Sequence, residues 1–300
     1  MKFLIRSFSV LAMLLTSAPL LANINVFACE PEWASLTDEL GGDRISSYAA
    51  TTAFQDPHHI EARPSLIARI RRADLVICSG AELETGWLPM LQRRAGNSKI
   101  MPGKPGYFEA AVMVDRLDVP ADIDRSMGDV HASGNPHVHL DPRRLQVIAK
   151  ALLARLIVID PQGADYYRSR FTNFSQRWQQ AIRQWQHQAK ALKDSRIVVH
   201  HRDWVYLFDW LGIELAAALE PKPGLPTTAG HLHSLKQTLT ENPAKMIVHT
   251  AYQNPRAAKR LSQITNTPVV ELPYTVGGTE QVKDLFDLFT LTIEKLKGAL

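Results

Sequence analysis

After its opening residues, this 300-residue chain has no apolar run near the ~18 residues a membrane span requires. Charge of one sign is also lacking. The formal net charge is +4, and removing Lys2 and Arg6 with a leader lowers it to +2, too little to argue for a nucleic-acid partner. No short-period repeat and no low-complexity tract is present, and the His-Glu-x-x-His arrangement, which sets a general base beside a catalytic zinc, does not occur. Apolar residues make up 45% and charged residues 21%, a globular rather than disordered balance, and the length allows two domains.

The start of the chain reads as a secretory signal over residues 1–22. Lys2 and Arg6 supply the positive end, Val10 to Leu15 the apolar stretch, and Leu20-Leu21-Ala22 the cleavage site. No cysteine follows where lipid attachment would need one. Cys29 is preceded by Val26-Phe27-Ala28, a poor match, inside an apparent strand. The expectation is an exported, soluble, periplasmic protein without a lipid anchor.

Residues 23–159 alternate between strand and helix. Strands are expected at Ile24–Ala28, Arg44–Ala49 and Asp74–Cys78. Helices are expected at Glu32–Leu40, from Pro64, over Ala81–Arg94 and over Arg143–Val158. This βαβαβ order predicts a parallel, doubly wound sheet. Over residues 160–193, Phe171, Phe174, Trp178, Ile182, Trp185, Ala189 and Leu192 recur at helical steps. This is either a long helix on one core or a rigid spine joining two lobes. Renewed βα alternation over residues 194–300 favours the spine. Strands are expected there at Arg196–His200, Ile213–Leu219, Lys245–His249 and Pro268–Leu272. Helices are expected at Asp203–Leu211, Gly230–Thr240, Pro255–Ile264 and Gln281–Leu296.

Three histidine segments stand at strand ends or helix starts: Asp56-Pro57-His58, Asn135-Pro136-His137 and His200-His201. Ligands in open α/β sheets bind beyond the carboxyl ends of strands, so these loops meet in the cleft between the lobes. Imidazoles from separate loops suit a borderline divalent cation. His131 and His249 are chemically able to ligate but stand outside these motifs, and His59, His200 and His139 read as neighbours of the ligands. Cys29 and Cys78 end the first and third strands, neighbours in a 2-1-3 sheet. They form either a disulfide or two buried thiols.

Further residues carry a family resemblance. Asp56–His58 is followed by Pro64-Ser65, Ala73–Val76 and Gly80–Glu84; Asn-Pro-His-x-x-Leu-Asp-Pro stands at Asn135–Pro142, and His-x-x-Trp-x-Tyr at His201–Tyr206. In order and spacing the chain resembles the zinc and manganese solute-binding proteins of ABC transporters, the ZnuA/TroA-like family, over essentially its whole mature length. The resemblance implies two α/β lobes joined by a rigid helix, with the ion between them on His58, His137 and His201. It implies Zn²⁺ ahead of Mn²⁺ as cargo, an inner-membrane permease with its ATPase as partners, and a monomer. Many members add an aspartate after the last strand. Here that loop reads Leu272-Pro273-Tyr274-Thr275-Val276-Gly277-Gly278, leaving the fourth position either to water, with the Glu61 carboxylate behind a ligand, or to Glu61 itself. Two other readings remain: an exported zinc-dependent hydrolase with Glu61 or Asp203 as base, and a metal buffer or adhesin-like protein without a transporter.

Overall fold

A computed structural model describes residues 23–121, 128 and 131–300. The signal segment 1–22 lies outside the described residues. The first lobe runs β1 (Ile24–Ala28), α1 (Pro31–Gly41), β2 (Ile45–Ala49), α2 (Pro64–Arg71), β3 (Leu75–Cys78), α3 (Leu88–Ala95), β4 (Tyr107–Glu109) and α4 (Pro142–Ile159). Then come the long α5 (Ala164–Gln188) and the second lobe: β5 (Arg196–Val199), α6 (Val205–Leu211), β6 (Glu214–Ala218), α7 (Ala229–Glu241), β7 (Met246–Thr250), α8 (Arg256–Thr265), β8 (Val269–Leu272) and α9 (Leu285–Gly298).

Each lobe is a four-stranded, all-parallel sheet, ordered β2-β1-β3-β4 in the first and β6-β5-β7-β8 in the second. Helices cover both faces, so the central strands are continuously apolar, as Leu75-Val76-Ile77-Cys78 is. Proline opens α1, α2 and α4, where its missing N–H costs no helical hydrogen bond.

The aromatic stripe forms a spine. Tyr167, Phe174, Trp178 and Trp185 are the buried residues of α5. Trp178 donates its indole N–H to the Pro142 carbonyl of the first lobe at 2.8 Å and meets Phe286 of α9 edge-on at 4.8 Å. On another face, Arg170 donates to the Glu39 carbonyl of α1 at 2.9 Å. One helix thus packs on both lobes.

Cys29 and Cys78 form a disulfide across the adjacent β1 and β3 ends, with Cα atoms 4.8 Å apart. Three departures from expectation stand out. The helix expected over Ala81–Arg94 begins only at Leu88. Ala81 and Glu82 take φ of +48° and +68°, the left-handed region, so residues 81–87 form turns. The three-residue β4 was not anticipated, because so short a strand carries no period to read. At the C-terminal end, α9 starts at Leu285 rather than Gln281, where Asp284 caps it by accepting the Asp287 N–H.

Candidate metal centre

Each of the three histidines leaves a different element. His58 lies in the loop after β2. That loop is pinned where Trp87 donates its indole N–H to the Pro57 carbonyl at 3.0 Å. His137 opens a 3-10 turn ahead of α4, and its N–H is fixed by the Asn135 side chain at 3.0 Å. His201 lies two residues past the end of β5. The ligand-capable atoms of His58, His137 and His201 lie within 4.8 Å of one another. The folded chain therefore gathers residues separated by 79 and 64 positions.

The ring orientations are set by partners behind each imidazole. His58 Nδ1 faces Asp56 Oδ1 at 2.8 Å, His137 Nδ1 faces the Tyr274 hydroxyl at 2.8 Å, and His201 Nδ1 faces Glu220 Oε2 at 2.7 Å. Nε2 of each ring is left to face the others. His137 Nε2 is fully buried and has no hydrogen-bond partner. A buried nitrogen of this kind costs free energy until something occupies it. A ring nitrogen held from behind with its opposite nitrogen presented forward is how proteins fix the tautomer of a metal-binding histidine.

Charge is divided unevenly across the cluster. Burial, then the neighbouring His201 and His58, push His137 well below the ordinary histidine range. His201 moves the other way: burial opposes its charge, but Asp203 and the hydrogen bond to Glu220 prevail and raise it to about 9. Burial raises the carboxyls of Asp56 and Glu220, but the facing histidines outweigh this and lower both. Asp203 is fully buried, with Oδ1 3.6 Å from His137 Nε2, and accepts from Tyr252 at 3.1 Å and from Gln253 at 2.8 Å.

The remaining candidates separate clearly. Glu61 is exposed and is not among the groups gathered at the cluster. His139 neither faces solvent nor touches the cluster centre; it is buried, with Nε2 3.1 Å from the Tyr274 carbonyl and Nδ1 3.3 Å from Glu32 Oε1. His249 is buried with Nδ1 against the Thr250 carbonyl at 2.9 Å. His200 Nε2 is 4.0 Å from Glu220 Oε1. His131 reaches the rim, with Nε2 3.2 Å from His58 Nε2. Burial, then His58 and His201, lower its pKa to about 4.

Asp56, Glu220 and Tyr274 escaped the sequence reading. Only Asp56 carries a local signal, because an aspartate two residues before His58 also caps its backbone N–H, at 3.0 Å. Glu220 can be placed only once β6 is known to pair with β5, which brings its far end beside His201. Tyr274 stands in the loop where the resemblance led one to look for an aspartate.

The profile of the family described as "ZnuA: Zinc-uptake complex component A periplasmic" matches residues 26–299. A manganese ABC transporter substrate-binding lipoprotein, PsaA of Streptococcus anginosus, is 22% identical over 282 residues, covering 92% of this chain and 89% of that one. The high-affinity zinc uptake system protein ZnuA of Bacillus subtilis is 24% identical over 254 residues, covering 82% of this chain and 77% of that one. A crystal structure of ZnuA superposes with a TM-score of 0.78 at 17% identity, covering 92% and 99% of the two chains. The Mn-bound periplasmic metal binding protein of Candidatus Liberibacter asiaticus does so at 0.74 and 16%, covering 92% and 99%. The chain belongs to the family of periplasmic ZnuA zinc-uptake components.

Proposed function

We propose that this protein captures Zn²⁺ in the periplasm on His58, His137 and His201 and delivers it to an inner-membrane ABC permease driven by its ATPase. The observation that carries this reading is the convergence of three imidazoles from both lobes, each held at Nδ1 and each presenting Nε2. The ion is cargo, so the site must bind firmly and also release. A site split between two lobes can do both, because separating the lobes withdraws ligands from the ion. The spine α5 limits how far they part.

Nitrogen donors favour zinc over the harder manganese, which prefers carboxylate and carbonyl oxygen. Names among the relatives include both metals, so zinc specificity here rests on the donor set. The protein acts as a monomer, with residues 23–159 and 194–300 as the lobes, residues 160–193 as the link, and a cleaved signal over residues 1–22 leaving no lipid anchor.

Calorimetric competition between zinc and manganese, on the wild type and on His58→Ala, His137→Ala and His201→Ala, tests this directly. Zinc should win, and each substitution should weaken it strongly while the metal-free protein still melts as a folded unit. A variant that stays within about threefold of wild type, well under 1 kcal/mol, removes that residue from the ligand set.

A further inference from the structure

His131 lies beside the three-histidine cluster and belongs to none of the recognised motifs. Its Nε2 is 3.2 Å from His58 Nε2, with ring centroids 5.3 Å apart. Two nitrogens on one tetrahedral zinc, each about 2.0–2.1 Å from the ion, are separated by about 3.3 Å. The spacing to His58 is that of two ligands sharing an ion, while His131 stands outside the group gathered within 4.8 Å and would have to close on His137 and His201 as the ion binds. Among the described residues no other imidazole pair within the cluster has its ring nitrogens in hydrogen-bond contact.

The stretch around His131 is also anchored. It meets a strained turn, with φ of +48° at Ala81 and +68° at Glu82. Strain of this kind persists where surrounding contacts enforce it, and it concentrates at functional sites. Here the enforcing contacts are visible. Glu82 accepts the Ser133 N–H at 3.1 Å and the Ser133 hydroxyl at 2.7 Å, and Arg116 donates to the Ser133 carbonyl. The stretch carrying His131 is thereby clamped onto the turn that follows β3.

We propose that His131 is the fourth protein ligand, completing an all-imidazole tetrahedron in place of a water or of Glu61. This rests on the reading that His58, His137 and His201 hold the ion. The competing donor is Asp203, 3.6 Å from His137 Nε2. Its carboxylate is already engaged by Tyr252 and Gln253, both of the second lobe.

Zinc-edge X-ray absorption on the full mature protein, loaded with one equivalent of zinc, counts the imidazoles. The wild type should show four, and His131→Ala three plus one oxygen, with zinc affinity down ten- to a hundredfold and the metal-free melting temperature unchanged. Asp203→Asn should keep four imidazoles. Three imidazoles in both wild type and His131→Ala, with affinity within threefold, overturn the proposal. Three in the wild type with an oxygen lost in Asp203→Asn assign the corner to Asp203 and overturn it equally. Failure of the parent reading looks different: fewer than three imidazoles in the wild type, or a His58→Ala variant that binds as tightly as wild type.

Discussion

The first lobe orders its strands β2-β1-β3-β4 and the second β6-β5-β7-β8, so the same topology is built twice. Both place their histidine loops beyond the carboxyl ends of strands, but their contributions differ. The first lobe brings His58 and His137. The second brings His201 and two carboxylates beside the cluster, Glu220 and Asp203, together with Tyr274. Orientation crosses the cleft: His137 of the first lobe is steered by Tyr274 of the second, and His139 leans on the same residue's carbonyl. Thr275 of the second lobe donates to Glu32 of α1, and Tyr206 donates to the Asn135 carbonyl at 2.6 Å, just ahead of His137. Hydrogen bonds of this kind make the first lobe's ligand geometry depend on where the second lobe sits. His58, with Asp56 as its partner, is oriented wholly within its own lobe. His201, with Glu220, is likewise self-contained.

That contrast can be broken or sharpened by substitution. The largest effect on zinc affinity is expected from His137→Ala or His201→Ala, on the order of a thousandfold, about 4 kcal/mol, by calorimetric competition against a chelator. Equal losses for the two would show that the lobes share the ion evenly. Next comes Glu220→Gln, which removes the carboxylate behind His201. Partners behind a ligand are worth ten- to a hundredfold in affinity, and binding assays on this variant should fall in that range.

Proton linkage separates the lobes more finely. The metal-free His201 is raised from 6.5 to about 9, so zinc must displace its proton near neutral pH. Affinity should rise with pH between 6.5 and about 9, by up to about tenfold per unit, with proton release visible in buffers of different ionisation enthalpy. The sign for folding is the reverse. A raised histidine adds stability to the metal-free protein that is full below pH 6.5 and lost as pH climbs through about 9. Glu220→Gln should flatten both dependences. His137, held low by burial, should contribute nothing to either above neutral pH.

Tyr274→Phe should cost about tenfold in zinc affinity, the lower end of the range for such partners, since only one hydroxyl is lost. If it costs nothing, steering across the cleft is unimportant and each lobe orients its own ligands. The smallest effect on zinc should come from the disulfide. Cys29→Ser with Cys78→Ser should lower the stability of the first lobe by about 2–4 kcal/mol in urea titration. Zinc affinity should stay within twofold, because neither cysteine belongs to the three-histidine cluster.

Much of this was legible in the sequence, for identifiable reasons. β1 was read to the residue, Ile24–Ala28, because a short buried apolar run bounded by turn residues has few other readings. The spine was legible because aromatic bulk recurred at helical steps through α5 and the 3-10 turn after it. Strand adjacency brought Cys29 and Cys78 together but left disulfide and buried thiols both open, and the folded chain pairs them. The turn at Ala81 and Glu82 was not legible, because left-handed backbone at non-glycine residues has no composition signal and is imposed by tertiary contacts. The partners Glu220 and Tyr274 were hidden for a related reason. Each acts on a histidine 19 or 137 positions away, across a sheet or across the cleft, where no local pattern reaches.

A crystal structure of the zinc-loaded protein, with the ion located by its anomalous signal, is the decisive measurement. It should show one zinc in the interlobe cleft, about 2.0–2.1 Å from Nε2 of His58, His137 and His201, with Asp56, Tyr274 and Glu220 still on the three Nδ1 atoms. An ion bound through Nδ1 of any of the three, or held by residues of one lobe only, would contradict this arrangement.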